Sequence, residues 1–156
     1  KPGSLAQYGG LIVAMDAIQD PGNLGTMIRT ASWFRASGLL FGEGTADPFH
    51  PKVVRSTAGA TGTLPFRKGS LAEELQQLEK AGYRICLLDG SADSISIKQV
   101  KPFQKTVLVV GNEANGISRK LFTAGRTPLR IDGNAEYVES LNAAVALSIG
   151  LWHFKG

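Results

Sequence analysis

The chain has very little cysteine and histidine. Cys86 is the one cysteine in 156 residues, so no internal disulfide can form. The two histidines, His50 and His153, are far apart, and with a single thiol they offer no structural metal set. No metal is expected. No apolar run approaches the roughly 20 residues that a membrane-spanning helix needs. The opening Lys1-Pro2-Gly3-Ser4 lacks the apolar core of a signal peptide. Cys86, inside Tyr83-Arg84-Ile85-Cys86-Leu87-Leu88, reads as an inert buried thiol. Such sparing use of cysteine suits a reducing, cytoplasmic setting. Charge of one sign is not concentrated either. Lys and Arg number 17 against 13 Asp and Glu, a net charge of +4. The basic groups are scattered, so an anionic partner is only weakly favoured and no basic tail exists.

Hydrophobic residues make up 43% of the chain, enough for one domain with its own core. Residues 1–10 read as a linker and residues 11–156 as the domain. Short apolar runs alternate with helical segments. Leu11–Met15, Leu39–Phe41, Tyr83–Leu88, Val107–Val110 and Leu129–Ile131 read as strands. Helices are expected over about 23–35, 51–57, 70–81, 118–124 and 140–154. Ser70 with Glu73 three residues on, and Gly82 at the end, delimit the third of these. The pattern predicts an α/β fold, a mostly parallel sheet flanked by helices on both faces. Asp89–Gln104 carries no firm assignment.

Ligands in parallel α/β folds sit beyond the carboxyl ends of strands, and three such ends are unusual here. The first runs from Asp16 to Ala31. Asn23 reads as a helix cap, and Leu24, Met27, Ile28, Ala31 and Phe34 form a core-facing stripe. Arg29 and Trp33 then share the opposite face, either as a solvated Arg beside a surface Trp or as a protein interface or base-stacking face. The second runs from Val110 to Ser118. Gly111 would allow a ligand close to the backbone, and Gly116 should take a positive φ. Glu113 could accept ligand hydrogen bonds or hold another site residue. The third runs from Ile131 to Asn142 into an almost wholly apolar segment that reads as a buried helix. A capping role for Ser140 or Asn142 explains only part of that polar mouth.

Together the three segments resemble the SpoU (TrmH-like) branch of the SPOUT RNA methyltransferases. The family's Asn-x-Gly-x-x-x-Arg-x-Ala corresponds to Asn23–Ala31. Its strand followed by Gly-x-Glu-x-x-Gly corresponds to Gly111–Gly116. Its Ile strand leading to Ser-Leu-Asn and a small-residue helix corresponds to Ile131–Ala146. The resemblance implies a SPOUT fold with a deep C-terminal trefoil knot, S-adenosyl-L-methionine as cofactor, and methylation of a ribose 2′-hydroxyl in rRNA or tRNA. It implies cofactor contacts at Gly111, Ile131 and Leu141, and catalytic positions at Asn23, Arg29, Glu113, Ser140 and Asn142. It also implies a homodimer in which Arg29 of one subunit completes the site of the other. Lys52 and Arg55, on the short helix after Asp47-Pro48-Phe49-His50, are the expected RNA-backbone contacts. Two features depart from the family. Asp132 stands where the family has Pro, and the loop from Ile131 to Ser140 is one residue longer. Members often carry an N-terminal RNA-recognition domain, for which this sequence has no counterpart. The competing readings are a non-catalytic RNA-binding module and a nucleotide-dependent enzyme. The second is disfavoured, because no Gly-x-Gly-x-x-Gly follows the first strand and no phosphate-loop Lys-Ser/Thr is present.

Overall fold

A computed structural model describes residues 5–91, 93–134, 136 and 140–155. Seven strands are joined in one sheet: β1 (Leu11–Asp16), β2 (Gly38–Gly42), β3 (Phe66–Gly69), β4 (Arg84–Leu88), β5 (Ile95–Ser96), β6 (Thr106–Gly111) and β7 (Thr127–Arg130). Their order is β3-β2-β1-β6-β4-β7-β5 and every pairing is parallel. Four α-helices cover it: α1 (Pro21–Trp33), α2 (Pro51–Ser56), α3 (Leu71–Lys80) and α4 (Ala143–Lys155).

The central strands are buried on both faces, so their side chains split by parity. Leu11, Val13 and Met15 point into one core with Leu24, Met27, Ile28 and Ala31 of α1 and Leu147 and Leu151 of α4. Ile12 and Ala14 point into the other, with Leu71, Leu75 and Leu78 of α3. Cys86 is fully buried, and burial pushes its thiol up to about 11, against a smaller lowering by Arg84. It is an inert core residue.

Several elements differ from the sequence reading. Leu5–Tyr8, inside the expected linker, forms a 3-10 turn whose Leu5 is buried against Gly38. The segment 118–124 holds only a 3-10 turn, Arg119–Leu121. Strands β3 and β5 had no firm sequence signal. The start of α1 is capped by Asp20, whose carboxylate accepts from the Asn23 N–H at 2.8 Å, with Pro21 at the first helical position. Asn23 is therefore inside the helix, and its side chain is released from capping. Gly25, the glycine of the first motif, is where α1 touches α2. A Cβ there would sit 2.8 Å from the Val53 carbonyl oxygen.

The apolar α4 is not buried all round in the single chain. Ala144, Leu147, Gly150 and Leu151 face the core, while Val145, Ile149 and Trp152 form an exposed stripe. Trp152 is 67% exposed and meets Phe34 edge-on at 6.4 Å, and Trp33 on neighbouring α1 is 81% exposed. Periodicity alone cannot separate a core face from an interface face, so the sequence reading placed both inside. Among the described residues, no helix is long and apolar enough to cross a membrane.

Candidate functional site

The carboxyl ends of β4, β6 and β7 open into a cavity of about 490 Å³. That size falls within the roughly 300–1,000 Å³ of small-molecule sites. Leu88 ends β4 and Asp89 and Gly90 follow it, Gly111 ends β6 with Asn112 to Ala114 after it, and Ile131 to Asn134 follow β7. Ser140, Leu141, Ala143 and Ala146 close it from the start of α4. In the lengthened loop, residues 135 and 137–139 lie outside the described residues.

The motif loops are tied together at this end of the sheet. The Asn112 side chain donates to the Ala17 carbonyl at 2.7 Å and accepts from the Ala114 and Asn115 N–H groups. The Ser118 N–H donates to the Asp16 carboxylate at 2.7 Å. Glu113 reaches back to the first motif, accepting from the Asp20 N–H at 2.8 Å and the Gln19 N–H at 3.2 Å. Burial pushes the Glu113 carboxyl up. The N–H groups of Asp20, Glu113 itself and Gln19, with the Asn23 side chain, outweigh that and hold it below the usual carboxylate range. So Glu113 is a clamp between two motif loops, and a depressed folded-state pKa makes it a pH-dependent one. Its stabilisation is present above the unfolded value, about 4.3, and is lost as pH falls through the lower folded value. Glu113→Gln is expected to lower the urea midpoint at pH 7, with the gap to the parent closing below about pH 4. A gap that stays constant across that range would contradict the clamp.

Asn142 caps α4: its Oδ1 accepts from the Ala144 N–H at 2.8 Å and the Val145 N–H at 3.2 Å. Its Nδ2 donates to Asn23 Oδ1 at 3.2 Å. One amide thus satisfies a helix terminus and links the third motif to the first. Gly111 lines the cavity, but the close approach it permits is by the chain's own backbone. A Cβ there would lie 2.4 Å from Gly116 C and Ile117 N. Gly116 has φ +71°, as expected.

Asp132, the departure from the family's Pro, accepts from Arg130 Nε at 3.0 Å and from the Ser96 hydroxyl. The Ser96 hydrogen bond first, then Arg130, holds its carboxyl below the usual range. It ties the end of β7 to β5.

Of the predicted positions, Gly111, Glu113, Ile131, Ser140 and Leu141 line the cavity, and Asn23 and Asn142 meet beside it. Arg29 does not join them. It lies exposed on α1 with no hydrogen bond or ion pair among the described residues. Lys52 and Arg55 are exposed on α2, which packs against α1. No cluster of metal-ligating side chains exists among the described residues. Sequence reasoning missed Asp89. The available signal was its place: an acidic residue directly after a buried parallel strand, where α/β folds bind ligands.

A parallel sheet flanked by helices, with a cavity at its strand ends walled by glycine-bearing loops, defines an α/β protein built to hold a small ligand. The sequence model of the SpoU rRNA Methylase family matches residues 10–152, and the chain belongs to that family. The 23S rRNA (guanosine(2553)-2'-O)-methyltransferase RlmP of Bacillus subtilis is 35% identical over 147 residues, covering 93% of this chain and 58% of that protein. An AdoMet-bound rRNA methyltransferase from Sinorhizobium meliloti superposes with a TM-score of 0.88 at 30% identity, over 98% of this chain and 60% of that one. The SpoU methyltransferase AviRb from Streptomyces viridochromogenes, in complex with AdoMet, gives 0.84 at 30% identity, over 92% and 58%. The chain therefore spans somewhat more than half the length of these relatives.

Proposed function

We propose that the chain carries the catalytic part of an S-adenosyl-L-methionine-dependent RNA methyltransferase. It acts on a ribose 2′-hydroxyl, in the cytoplasm, as a homodimer. The observation that carries this reading is that the second and third motifs wall one cavity, with the first motif tied to its edge through Glu113 and Asn142. The cavity's chemistry fits the cofactor. Leu88, Leu129, Ile131 and Leu141 offer an apolar floor for a base, and the backbone at Gly90 and Gly133 is open, with nothing within 4 Å of where a Cβ would lie. One carboxylate oxygen, Asp89 Oδ2, is buried without a partner among the described residues.

When bound, S-adenosyl-L-methionine supplies an activated methyl group. Gly111, Ile131 and Leu141 would hold it, largely through backbone groups. The protein must then bring the ribose hydroxyl within attack distance and, as that hydroxyl gives up its proton to solvent, stabilise the negative charge left on its oxygen. Arg29 suits the second task. A guanidinium stays protonated, so it acts by forked contact to the adjacent phosphate and not as a base. Ser140, exposed at the cavity wall, is free to orient the ribose. Asn23, Glu113 and Asn142 position the loops.

Arg29 is exposed on α1 and is not among the residues that line its own chain's cavity, which is why the dimer belongs to the reading. Trp33, Val145, Ile149 and Trp152 are exposed apolar side chains on α1 and α4, two helices that pack against each other. A second copy covering them would bring its own Arg29 to the site. The trefoil knot is part of the same reading, with β7 entering between β4 and β5 just before the cavity-closing α4.

Large-subunit ribosomal RNA is the first substrate to test, given the relative that methylates 23S rRNA. Incubation with labelled cofactor, followed by nucleoside mass spectrometry, should detect a 2′-O-methyl nucleoside. Cofactor binding without methylation of any ribosomal or transfer RNA would sink the catalytic reading. Failure to bind the cofactor in calorimetry would favour the non-catalytic RNA-binding module instead. Binding to RNA should run mainly through phosphates. Replacing both Lys52 and Arg55 with Glu is expected to weaken RNA binding by about tenfold or more and lower the salt slope by about 2. Unchanged affinity would remove α2 from the interface.

A further inference from the structure

The charged groups of the cavity wall are nearly all engaged within the chain. Glu113 is held by the backbone N–H groups of Gln19 and Asp20. Arg130 and Asp132 hold each other, and Asp132 also takes the Ser96 hydroxyl. Asp89 is different. Its backbone is fixed, with its N–H donating to the Leu129 carbonyl at 2.7 Å. Its side chain is only 14% exposed. Oδ1 faces Arg119 across 3.6 Å, beyond hydrogen-bond distance, and Arg119 is 70% exposed and stacked on Phe122 at 4.0 Å. Oδ2 is buried with no hydrogen-bond partner among the described residues. A buried carboxylate oxygen left bare costs folding free energy that an ordinary structural aspartate would recover through a partner. Oδ2 itself is closed to solvent, but Asp89 lines the cavity and neither of its carboxylate oxygens accepts a hydrogen bond within 3.5 Å among the described residues, so a ligand donor would meet the carboxylate from the Oδ1 side.

We infer that Asp89 recognises the ribose of the cofactor, its carboxylate accepting hydrogen bonds from the ribose hydroxyls; the inference rests on the S-adenosyl-L-methionine reading above. The location selects the ribose. Asp89 follows Leu88 directly, at the margin of the apolar floor that Leu129, Ile131 and Leu141 complete. An apolar floor takes the adenine. The first polar donors beyond a base are the hydroxyls of the sugar bonded to it. A carboxylate at the end of a parallel strand answers a ribose diol in the same way in dinucleotide folds. The ammonium of the methionyl arm is the other donor the cofactor could offer, but it lies further from the base along the molecule.

Two ligands separate these donors. S-adenosylhomocysteine carries both the ribose and the ammonium. 5′-Methylthioadenosine carries the ribose and lacks the ammonium. Calorimetry of the full chain should find that Asp89→Ala weakens both ligands by the same factor, about 10- to 100-fold, as expected for a hydrogen bond to a charged group. Asp89→Asn, which keeps the shape and one acceptor, should fall between parent and Ala, and it serves if the Ala variant does not fold. Loss confined to S-adenosylhomocysteine would assign Asp89 to the ammonium and overturn the proposal. Unchanged affinity for both ligands would overturn it while leaving the cofactor reading intact. If the parent chain binds neither ligand, the cofactor reading falls and Asp89 falls with it.

Discussion

Arg29→Ala is expected to lower kcat by about 100- to 1,000-fold, the range for losing one preorganised charge-stabilising group. Cofactor affinity should stay within about twofold, because the contact is to the RNA and not to the bound cofactor. Stability should move by no more than about 0.5 kcal/mol, since Arg29 is exposed and makes no hydrogen bond or ion pair among the described residues. Arg29→Lys keeps the charge and loses the fork, so it should rescue only part of the rate. Single-turnover methylation with saturating RNA, beside cofactor calorimetry, separates the two quantities. Near-parent turnover in the Ala variant would remove Arg29 from the mechanism. A matched loss in cofactor affinity would instead make it a binding residue.

The second large effect concerns the exposed stripe. Trp152→Asp is expected to raise the dimer dissociation constant by about 30-fold or more, the minimum for removing an interface anchor worth about 2 kcal/mol. Light scattering across a dilution series would follow the shift to monomer. The monomer itself should remain folded, because Trp152 is largely exposed and its contact with Phe34 is a single edge-on stack. Methylation should fall with the dimer fraction while each monomer retains its cavity. Mixing the Arg29→Ala chain with a Gly111→Val chain adds a sharper test. The mixed dimer holds one cavity with an intact backbone and one intact arginine from its partner. Recovery of activity on mixing supports a shared site. No recovery, with mixed dimers demonstrably present, would refute it.

Much of this molecule could be read from local signals. Helix α3 is bounded by Ser70, Glu73 and Gly82, each acting within one turn, and it forms where those residues predict. The central strands are continuous apolar runs, and they pair as a buried parallel sheet requires. Strand β3 was missed because Phe66-Arg67-Lys68-Gly69 has no apolar run and becomes a strand only by pairing with β2 at the sheet edge. Strand β5 is two residues long and exists through its register with β7. The cap of α1 differs for another reason. Asp20-Pro21 is the stronger start signal, and with Asp20 as cap the Asn23 amide is left to meet Asn142. The motif pattern led to most cavity residues because each lies at a strand–helix junction. It did not extend to Asp89, which lies outside the three motifs; its place after a buried parallel strand is its one sequence signal, and its unpartnered oxygen shows only in three dimensions.

The pairing of β1 with β6 has a consequence for how the chain is made. Leu11 lies beside Thr106 and Asp16 beside Gly111, so β1 is synthesised some 90 residues before its inner neighbour β6. Until then β1 can pair only with β2, and its other edge is an open apolar ladder. Non-local pairing of this kind slows folding and leaves nascent chains prone to stick to one another. Production at low temperature or with abundant chaperones should therefore raise the soluble yield more than any surface substitution.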